Sequence, residues 1–198
     1  MFQLDGELKL VTIDMDYVKA MHTACPEVYY QPYEYDNKPY IGIIIVRDCF
    51  RYVIPITSAK KKHMLWRNIG NDHFLIYEHV PQSVLSSNDI YVPLKGAPDV
   101  KHILSVIDVK KMIPILDSVY HVVNLNAAPS DTPEQRKYKD LMGKEYAFSV
   151  RISDKILSKA TKIYENQKQT GKVIRYGCDF AALEHASEVY KSKETIRI

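Results

Sequence analysis

Tyr40–His63, YIGIIIVRDCFRYVIPITSAKKKH, contains the clearest pair of strands in the chain. Tyr40–Val46 and Phe50–Ile56 are rich in β-branched and aromatic residues, which favour strands. The tripeptide RDC between them is short enough for a hairpin turn. The first strand is apolar on both faces, so we expect it to lie in the middle of a sheet.

Shorter strand candidates lie on both sides of this hairpin. Each is a run of apolar and β-branched residues bounded by polar or turn-forming residues. They are Leu8–Ile13, His73–His79, Ile90–Leu94, Ile103–Ile107 and Met112–Ile115. After the first of them, Asp14 can cap a short helix that runs to about Thr23. Many short strands with small turns favour a barrel or a strongly bent sheet.

The second half of the chain changes to helix. Thr132–Gln135, TPEQ, has threonine at the N-cap, proline at the first helical position and glutamine three residues after the threonine, which is typical of a helix start. Apolar residues then recur at spacings of three, four and seven, which indicates one amphipathic helix or two consecutive helices broken near Ser149 or Ser153. Gly171 is a natural helix end, and Asp179 can cap a last helix.

We therefore expect an α+β fold in a single domain over residues 1–198. The chain is strand-rich over residues 1–120 and mainly helical over residues 130–190. The length is that of one domain. With 46% hydrophobic and 26% charged residues, the composition is typical of a globular protein.

Several classes of protein are excluded by what the sequence lacks. No apolar run is long enough to span a membrane, and the start, MFQLDGELKL, does not have the pattern of a secretory signal, so we expect a cytoplasmic protein without a membrane partner. The glycine-rich fingerprints of nucleotide-binding folds are absent. The three cysteines and seven histidines lack the spacings of metal ligands. We expect no metal site and no other cofactor, and we expect the cysteines to be free, buried thiols.

Basic residues are concentrated in one region of the chain. Residues 136–175 hold eleven basic and four acidic side chains, a net charge of +7, whereas the whole chain has a net charge of +3. Such a region suits a polyanionic partner, although a solvated helix face rich in lysine gives the same pattern. Lys155, Lys159 and Lys162 recur along one helix face and, with Arg151, are candidate phosphate contacts.

A second basic cluster follows directly after the hairpin. Thr57–His63, TSAKKKH, places two hydroxyls, three ammonium groups and an imidazole within seven residues. Hydroxyls donate hydrogen bonds to phosphate oxygens, and lysines neutralise the charge that grows on a phosphorane-like transition state. If Ser58 caps a short helix, the backbone amides of Lys60 and Lys61 also point toward an anion. The alternative is a solvated basic turn in which Ser58 is only a helix cap.

The hairpin and this cluster together resemble the core motif of the ToxN/AbiQ/CptN family of type III toxin–antitoxin toxins, with CptN-like members closest in appearance. The family pattern is matched at Tyr40, Ile41, Gly42, Tyr52, Pro55, Thr57, Ser58, Lys60, Lys62 and His63. Ala59 stands where the family commonly has proline, which removes some rigidity and no reactive group. Ile107–Ile115 and Cys178–Glu184 are similar to two further family segments, in the same order along the chain.

The resemblance implies a compact, highly twisted antiparallel barrel of the MazF/Kid type surrounded by helices. It implies an endoribonuclease that cuts RNA without a metal ion and leaves a 2′,3′-cyclic phosphate and a 5′-hydroxyl. The implied partners are cellular or phage RNA as substrate and a repeated pseudoknot RNA as antitoxin. The toxin would cut this RNA from a precursor and be inhibited by it in a closed, head-to-tail assembly, with a role in phage defence.

Two alternative functions are compatible with part of the same sequence evidence. One is a non-catalytic RNA-binding module of the same fold, which would keep the basic surface without needing both Ser58 and Lys60. The other is a MazF-like ribonuclease toxin that is neutralised by a protein antitoxin. The presence of both hydroxyls and of Lys60 favours the enzyme over the binding module.

The resemblance assigns catalytic roles to four residues. Thr57 and Ser58 would hold phosphate oxygens, or one of them would mediate proton transfer. Lys60 would stabilise the phosphorane, and it could act as acid or base only if its pKa were lowered. Lys38 matches a lysine that the family places near the active site.

Further residues are candidate RNA contacts. Tyr35 is the nearest match to a family tyrosine and would stack on a base, although Tyr30 or Tyr33 could take that role. The rest of the cluster would contact RNA through Lys61, Lys62 and His63. The imidazole could alternatively act as a general acid. The Thr57–His63 cluster and the Arg136–Lys172 stretch thus predict two separate basic surfaces for RNA.

Overall fold

The computed structural model describes residues 1–30, 40–47 and 50–196, which form an α+β fold. The strands of this part of the chain are β1 Leu10–Ile13, β2 Tyr40–Arg47, β3 Phe50–Ser58, β4 His73–Pro81, β5 Tyr91–Pro93, β6 Asp99–Asp108, β7 Ile113–Ile115 and β8 Tyr120–Val122. The α-helices are α1 Met15–Ala24, α2 Pro133–Arg151, α3 Ser153–Thr170 and α4 Phe180–Ile196. The predicted α+β class, with helices concentrated in the second half, is confirmed.

All strand pairs are antiparallel, and the sheet has the order β4-β6-β3-β2-β1-β8, with β5 beside β6 and β7 beside β3. The predicted closed barrel is not what the structure shows. The path ends at β4 and β8, and these two edges are not paired with each other within the described residues. Closure needs that pairing, because a barrel is a sheet whose two edge strands meet.

The sheet bends at β3 because this strand changes partner along its length. On the side away from β2, Arg51–Val53 pair with β7, whereas Ile56–Ser58 pair with β6. Pro55, which has no backbone N–H to donate, lies between the two stretches. The end of β3 therefore leaves the first part of the sheet and joins β6 and β4.

The predicted hairpin is confirmed by the pairing of β2 with β3, in which Ile44 lies opposite Val53. Ile43, Ile44 and Ile45 are all buried, as expected for a strand with a neighbour on each side. Gly42 is required for close approach, because a Cβ there would lie 2.3 Å from a methyl group of Val53. The glycine of the YIG sequence thus serves the packing of the sheet.

The predicted helix signals are also observed. Thr132 and Gln135 form the reciprocal capping box at the start of α2, with hydrogen bonds of 3.2 and 2.8 Å. Ile152 leaves the helical conformation, so the long apolar pattern belongs to two consecutive helices. Gly171 ends α3 with a positive φ of 68°, and the Asp179 carboxylate accepts hydrogen bonds from the first backbone amides of α4.

Local patterns were less informative at the sheet edges. β6 begins at Asp99, four residues before the predicted start at Ile103. Polar and apolar residues alternate in its first half, so no continuous apolar run marks that half as a strand in the sequence. β8 was not predicted, since its three residues pair only along β1 and are largely exposed. None of the helices in the described ranges is long and apolar enough to cross a membrane.

Candidate functional site

The Thr57–His63 cluster lies where β3 ends. Thr57 and Ser58 are directly opposite Val106 and Ser105 of β6. Because successive strand residues point to opposite faces, Ser58 and Thr57 lie on different sides of the sheet. Ser58 is exposed and Thr57 is half-buried. The structure therefore does not place the two hydroxyls side by side.

Lys60 continues on the Ser58 side. The chain is still extended here, with φ −132° and ψ 157° at Lys60. Ala59 packs on the opposite face, against the small apolar cluster that contains Val106. Lys60 is exposed and, among the residues that the structure describes, it has no carboxylate within ion-pair distance. Ser58 and Lys60 thus present a hydroxyl and an available ammonium group at one end of β3.

His63 closes the turn that carries Lys60. Its Nδ1 accepts a hydrogen bond of 2.9 Å from the Lys60 amide, and its own amide donates to the Lys60 carbonyl at 2.8 Å. The side chain is only 4% exposed. Burial, followed by the positive charge of nearby Lys62, lowers the pKa of His63 to about 4. The structure thus places a neutral imidazole beneath the Lys60 backbone.

Three rings contact one another in a tilted arrangement next to this turn. The His63 and Trp66 ring centroids are 4.5 Å apart, and those of Trp66 and His73 are 4.4 Å apart. His73 shares a hydrogen bond of 2.8 Å with Asp72, which is also paired with Lys110. The hydrogen bond with His73 has the larger effect, and together with the Lys110 contact it lowers the pKa of Asp72 well below its usual range. The segment from Trp66 to His73 is thereby fixed to the end of β6.

The remaining lysines of the cluster face outward. Lys61 and Lys62 are exposed, and no described carboxylate pairs with either. The Lys62 Nζ lies 5.5 Å from the centre of the Trp66 ring. Both ammonium groups are placed to contact an anion beside Lys60.

A groove of about 720 Å³ separates α3 from the segment that precedes and begins β4. The three lysines predicted from the sequence line it together: Lys155, Lys159 and Lys162. Lys159 donates to the Gly70 carbonyl and lies 4.8 Å from the Phe74 ring centre. Burial of this lysine lowers its pKa. The other two ammonium groups are exposed and form no ion pair in the described part of the chain.

Next to this groove lies a second depression of about 630 Å³, which Arg151 and Lys155 line together with aromatic residues. The Arg151 guanidinium is 5.0 Å from the Phe148 ring centre, and the Phe148 and Tyr77 rings meet edge to face at 5.8 Å. Both rings are half-buried. Aromatic faces beside cations suit unstacked RNA bases. Tyr77 and Phe148 could not be predicted as site residues, because each occupies an ordinary apolar position of its strand or helix.

One segment of the chain, residues 63–74, lies beside both predicted basic surfaces. Trp66 contacts the ring of His63, and residues 68–74 of the same segment form the wall of both depressions. Other basic residues of the region 136–175 are neutralised, because Lys139, Lys144 and Lys168 pair with Asp131, Glu78 and Glu184. Arg151, Lys155 and Lys162 lie along this path and have no ion pair in the described part of the chain, and the same holds for Lys137 and Lys172, which lie elsewhere in the basic region.

Three residues named in the sequence predictions lie outside the described part of the chain. Lys38 and Tyr35 are not among the described residues, and neither is Cys49. Cys25 and Cys178 are free and buried, as the sequence predicts. The described residues contain no group of three or more histidine, cysteine or carboxylate side chains that could hold a metal ion.

Comparison with known proteins decides the family. Residues 9–188 match the sequence model described as toxin ToxN of type III toxin–antitoxin systems. The chain belongs to the ToxN toxin family. The family predicted from Tyr40–His63 is therefore confirmed.

The ToxN family relatives include two named endoribonucleases. Endoribonuclease AbiQ of Lactococcus lactis subsp. lactis is 26% identical over 192 residues, which cover 96% of this chain and 93% of AbiQ. Endoribonuclease ToxN of Pectobacterium atrosepticum is 29% identical over 180 residues, which cover 89% of this chain and 90% of that protein. Their names agree with the enzyme class expected from the sequence.

Solved structures of such toxins share the fold. A toxin of a bacterial type III system, selectively inhibited by a non-coding RNA pseudoknot, superposes with a TM-score of 0.68 at 21% identity, over 93% of this chain and 98% of that one. A protein of a bacterial antiviral system that a processed non-coding RNA regulates gives a TM-score of 0.65 at 25% identity, over 91% and 97% of the two chains.

Proposed function

We propose that this ToxN family member is an endoribonuclease toxin that cleaves RNA by metal-independent transphosphorylation. The observation that carries this proposal is the exposed Ser58 hydroxyl beside the unpaired Lys60 ammonium group on one face at the end of β3. The 2′-hydroxyl loses its proton as its oxygen attacks phosphorus, the bond to the 5′-oxygen breaks, and that oxygen takes up a proton. The products therefore carry a 2′,3′-cyclic phosphate and a 5′-hydroxyl. Neither bond change requires a metal ion.

Ser58 and Lys60 would act on the scissile phosphate. Ser58 donates a hydrogen bond to a phosphate oxygen, and Lys60 stabilises the charge that grows on phosphorus. Thr57, on the other side of the strand, would act through the backbone or on a neighbouring nucleotide. Lys38 as a further catalytic cation and Tyr35 as a stacking residue remain proposals that rest on the family motif.

Substrate and antitoxin RNA would follow the path from the cluster to α3. Lys61 and Lys62 contact phosphates next to the cleavage point, while Arg151, Lys155 and Lys162 bind the body of the RNA. We propose a repeated pseudoknot RNA as the antitoxin, because a related toxin of known structure is inhibited by one. The protein would process this RNA, assemble with it head to tail into a closed complex, and act in the cytoplasm in phage defence.

The decisive experiment follows cleavage of RNA in excess EDTA by the parent protein and by Ser58→Ala and Lys60→Ala. Loss of one transition-state contact typically lowers the rate by about a hundred- to a thousandfold, so both variants should lose cleavage and still bind RNA. Lys19→Ala, an exposed lysine on α1, is the matched control and should cleave like the parent.

Three outcomes contradict the proposal. Cleavage that needs Mg²⁺ and is not restored by another salt of equal ionic strength would exclude metal independence. RNA binding without cleavage by the parent would favour the non-catalytic module. Inhibition of the parent by a small protein encoded beside it, and not by RNA, would favour the MazF-like alternative. The relationship of the sheet to that of MazF/Kid toxins is a separate proposal, which rests on the family resemblance.

A further inference from the structure

The second depression, beside the groove of α3, combines exposed apolar surface with cations. Tyr77 and Phe148 line it and are half-buried. Ile69, which also lines it, is 54% exposed. Arg151 and Lys155 belong to the same depression. Apolar surface that stays exposed and is bordered by polar groups is typical of a binding site.

The β4 side of this depression is held in place by its own hydrogen bonds. The backbone carbonyl of Asn68 accepts a hydrogen bond of 2.8 Å from the Leu75 amide, and its side-chain oxygen accepts one of 3.0 Å from Lys101. The same ammonium group lies 5.9 Å from the centre of the Tyr77 ring. A site whose walls are already ordered loses less conformational entropy when it binds a ligand.

The charges of the depression favour an anionic ligand. Arg151 ends α2 and Lys155 lies in the first turn of α3, so both cations belong to the junction of the two helices. Neither forms an ion pair within the described ranges. The Glu78 carboxylate also lines the depression, but it is paired with Lys144 at 3.1 Å and lies 3.1 Å from Nδ1 of His102. Its negative charge is therefore compensated, and two unpaired positive charges remain beside the rings.

We propose that this depression is a subsite for one unpaired base of RNA, which stacks on Tyr77 and Phe148 while Arg151 and Lys155 hold the adjoining phosphates. A nucleotide has both a flat ring and an anion, whereas an acidic peptide would match the cations alone. The volume of about 630 Å³ is within the roughly 300–1,000 Å³ of small-ligand sites. The inference rests on the proposed function and adds a base contact to the path of the RNA.

The test measures how much the bases of a probe RNA contribute to its binding. The probe is 2′-O-methyl hexauridylate, which has no free 2′-hydroxyl and so cannot be cut, and its abasic counterpart has the same backbone charge. One stacked base should make hexauridylate bind the parent at least about fivefold more tightly than the abasic strand. Tyr77→Leu with Phe148→Leu should lower this ratio by at least about fivefold and keep the parent affinity for the abasic strand.

Matched variants separate the loss of a stacking surface from damage to the fold. Tyr77→Phe with Phe148→Tyr keeps both rings and should keep the parent ratio. Tyr176→Leu removes an exposed ring that lies 4.8 Å from the Arg175 guanidinium, outside the depression, and should also match the parent. Hexauridylate that contains 5-iodouracil, photocross-linked to the parent, should attach to Tyr77 or Phe148. This last measurement decides the matter if thermal melting shows that the leucine variant is unfolded.

A further pair of probes identifies which kind of RNA supplies the base. If the leucine variant weakens a 2′-O-methyl hairpin with one bulged uridine more than the fully paired hairpin, a folded RNA such as an antitoxin uses the subsite. If it weakens hexauridylate alone, a single-stranded substrate uses it.

The subsite is rejected if a folded leucine variant keeps the parent affinity for every probe, or if the cross-links map outside the depression. Cleavage by the parent in EDTA would leave the proposed function intact in that case. A parent that neither binds nor cleaves RNA would overturn both.

Discussion

His63 decides how the backbone presents Lys60. Its Nδ1 accepts the Lys60 amide hydrogen only while the imidazole is neutral, and burial keeps its pKa at about 4. The same ring packs on Trp66, so the turn is fixed from two directions. We infer that His63 contributes to cleavage by fixing the turn that carries Lys60.

Replacement of His63 tests this role through stability at acid pH. The unfolded chain takes up this proton near the ordinary pKa of about 6.5, whereas the folded chain does so only at about 4. Stability is therefore lost as pH falls between these values. The melting temperature of the parent should fall more steeply than that of His63→Asn from pH 7 to pH 4. Parallel curves would show that His63 is not buried and neutral.

Two replacements of His63 test whether cleavage depends on the hydrogen bond that the His63 side chain accepts from the Lys60 amide. His63→Asn offers a side-chain oxygen in place of Nδ1 and should keep most of the cleavage rate at neutral pH. His63→Leu offers no acceptor for the Lys60 amide and should cleave at least about tenfold more slowly, since an amide left without its partner costs about 1–3 kcal/mol. Equal rates for the two variants would contradict a role in positioning Lys60.

Helix α3 contributes a row of cations to the groove, but the three lysines are not equivalent. Lys155 and Lys162 are exposed and unpaired among described residues, whereas Lys159 is committed to the Gly70 carbonyl and to Phe74. We expect the first two to bind phosphates and the third mainly to hold α3 against residues 70–74.

Salt dependence of RNA binding measures these contacts. Each phosphate contact contributes roughly 0.7–0.9 to the slope of log affinity against log salt. Lys155→Ala with Lys162→Ala should therefore lower the slope by about 1.5. Lys159→Ala should lower the melting temperature instead. Lys137→Ala with Lys172→Ala, two exposed lysines elsewhere in the basic region, is the matched control. An unchanged slope in the first pair would remove the α3 face from the RNA path.

A polar network in the core joins the sheet to the C-terminal helices. Glu184 of α4 accepts hydrogen bonds from Tyr52 of β3 and from Tyr164 and Lys168 of α3. Burial opposes ionisation of Glu184, but these three donors outweigh it and lower the pKa of the carboxyl group. Two segments that carry the family resemblance, around Tyr52 and around Glu184, therefore meet in space for a structural reason.

Glu184→Gln should destabilise the whole molecule at neutral pH. The loss should be about 1–3 kcal/mol, because one charged acceptor serves three donors. Since the folded pKa is lowered, the stability that ionised Glu184 provides is present above its unfolded pKa and lost as pH falls through its folded pKa. Urea unfolding at pH 7 and pH 4 should show a smaller difference for the variant than for the parent. Glu188→Gln, an exposed change one turn along α4, should match the parent.

The elements that could be predicted from the sequence are those whose signals are local. The β2–β3 hairpin follows from two strand-forming runs and a three-residue turn, and the start of α2 follows from a capping box within four residues. The ordered motif around Ser58 and Lys60 was sufficient for the family. The lysine face of α3 follows from helical spacing alone.

Tertiary structure alone decided which of these residues meet. The change of partner along β3, the open sheet edges and the placement of Ser105 opposite Ser58 depend on pairings between distant segments. Ser105 and Glu145 are 40 residues apart, and their contact requires α2 to pack on β6. A local sequence pattern indicates which face of a helix or strand is apolar, but it does not indicate which other element packs on that face. For this reason the candidate site at Ser58 and Lys60 could be predicted from the sequence, whereas the buried contact between Ser105 and Glu145 could not.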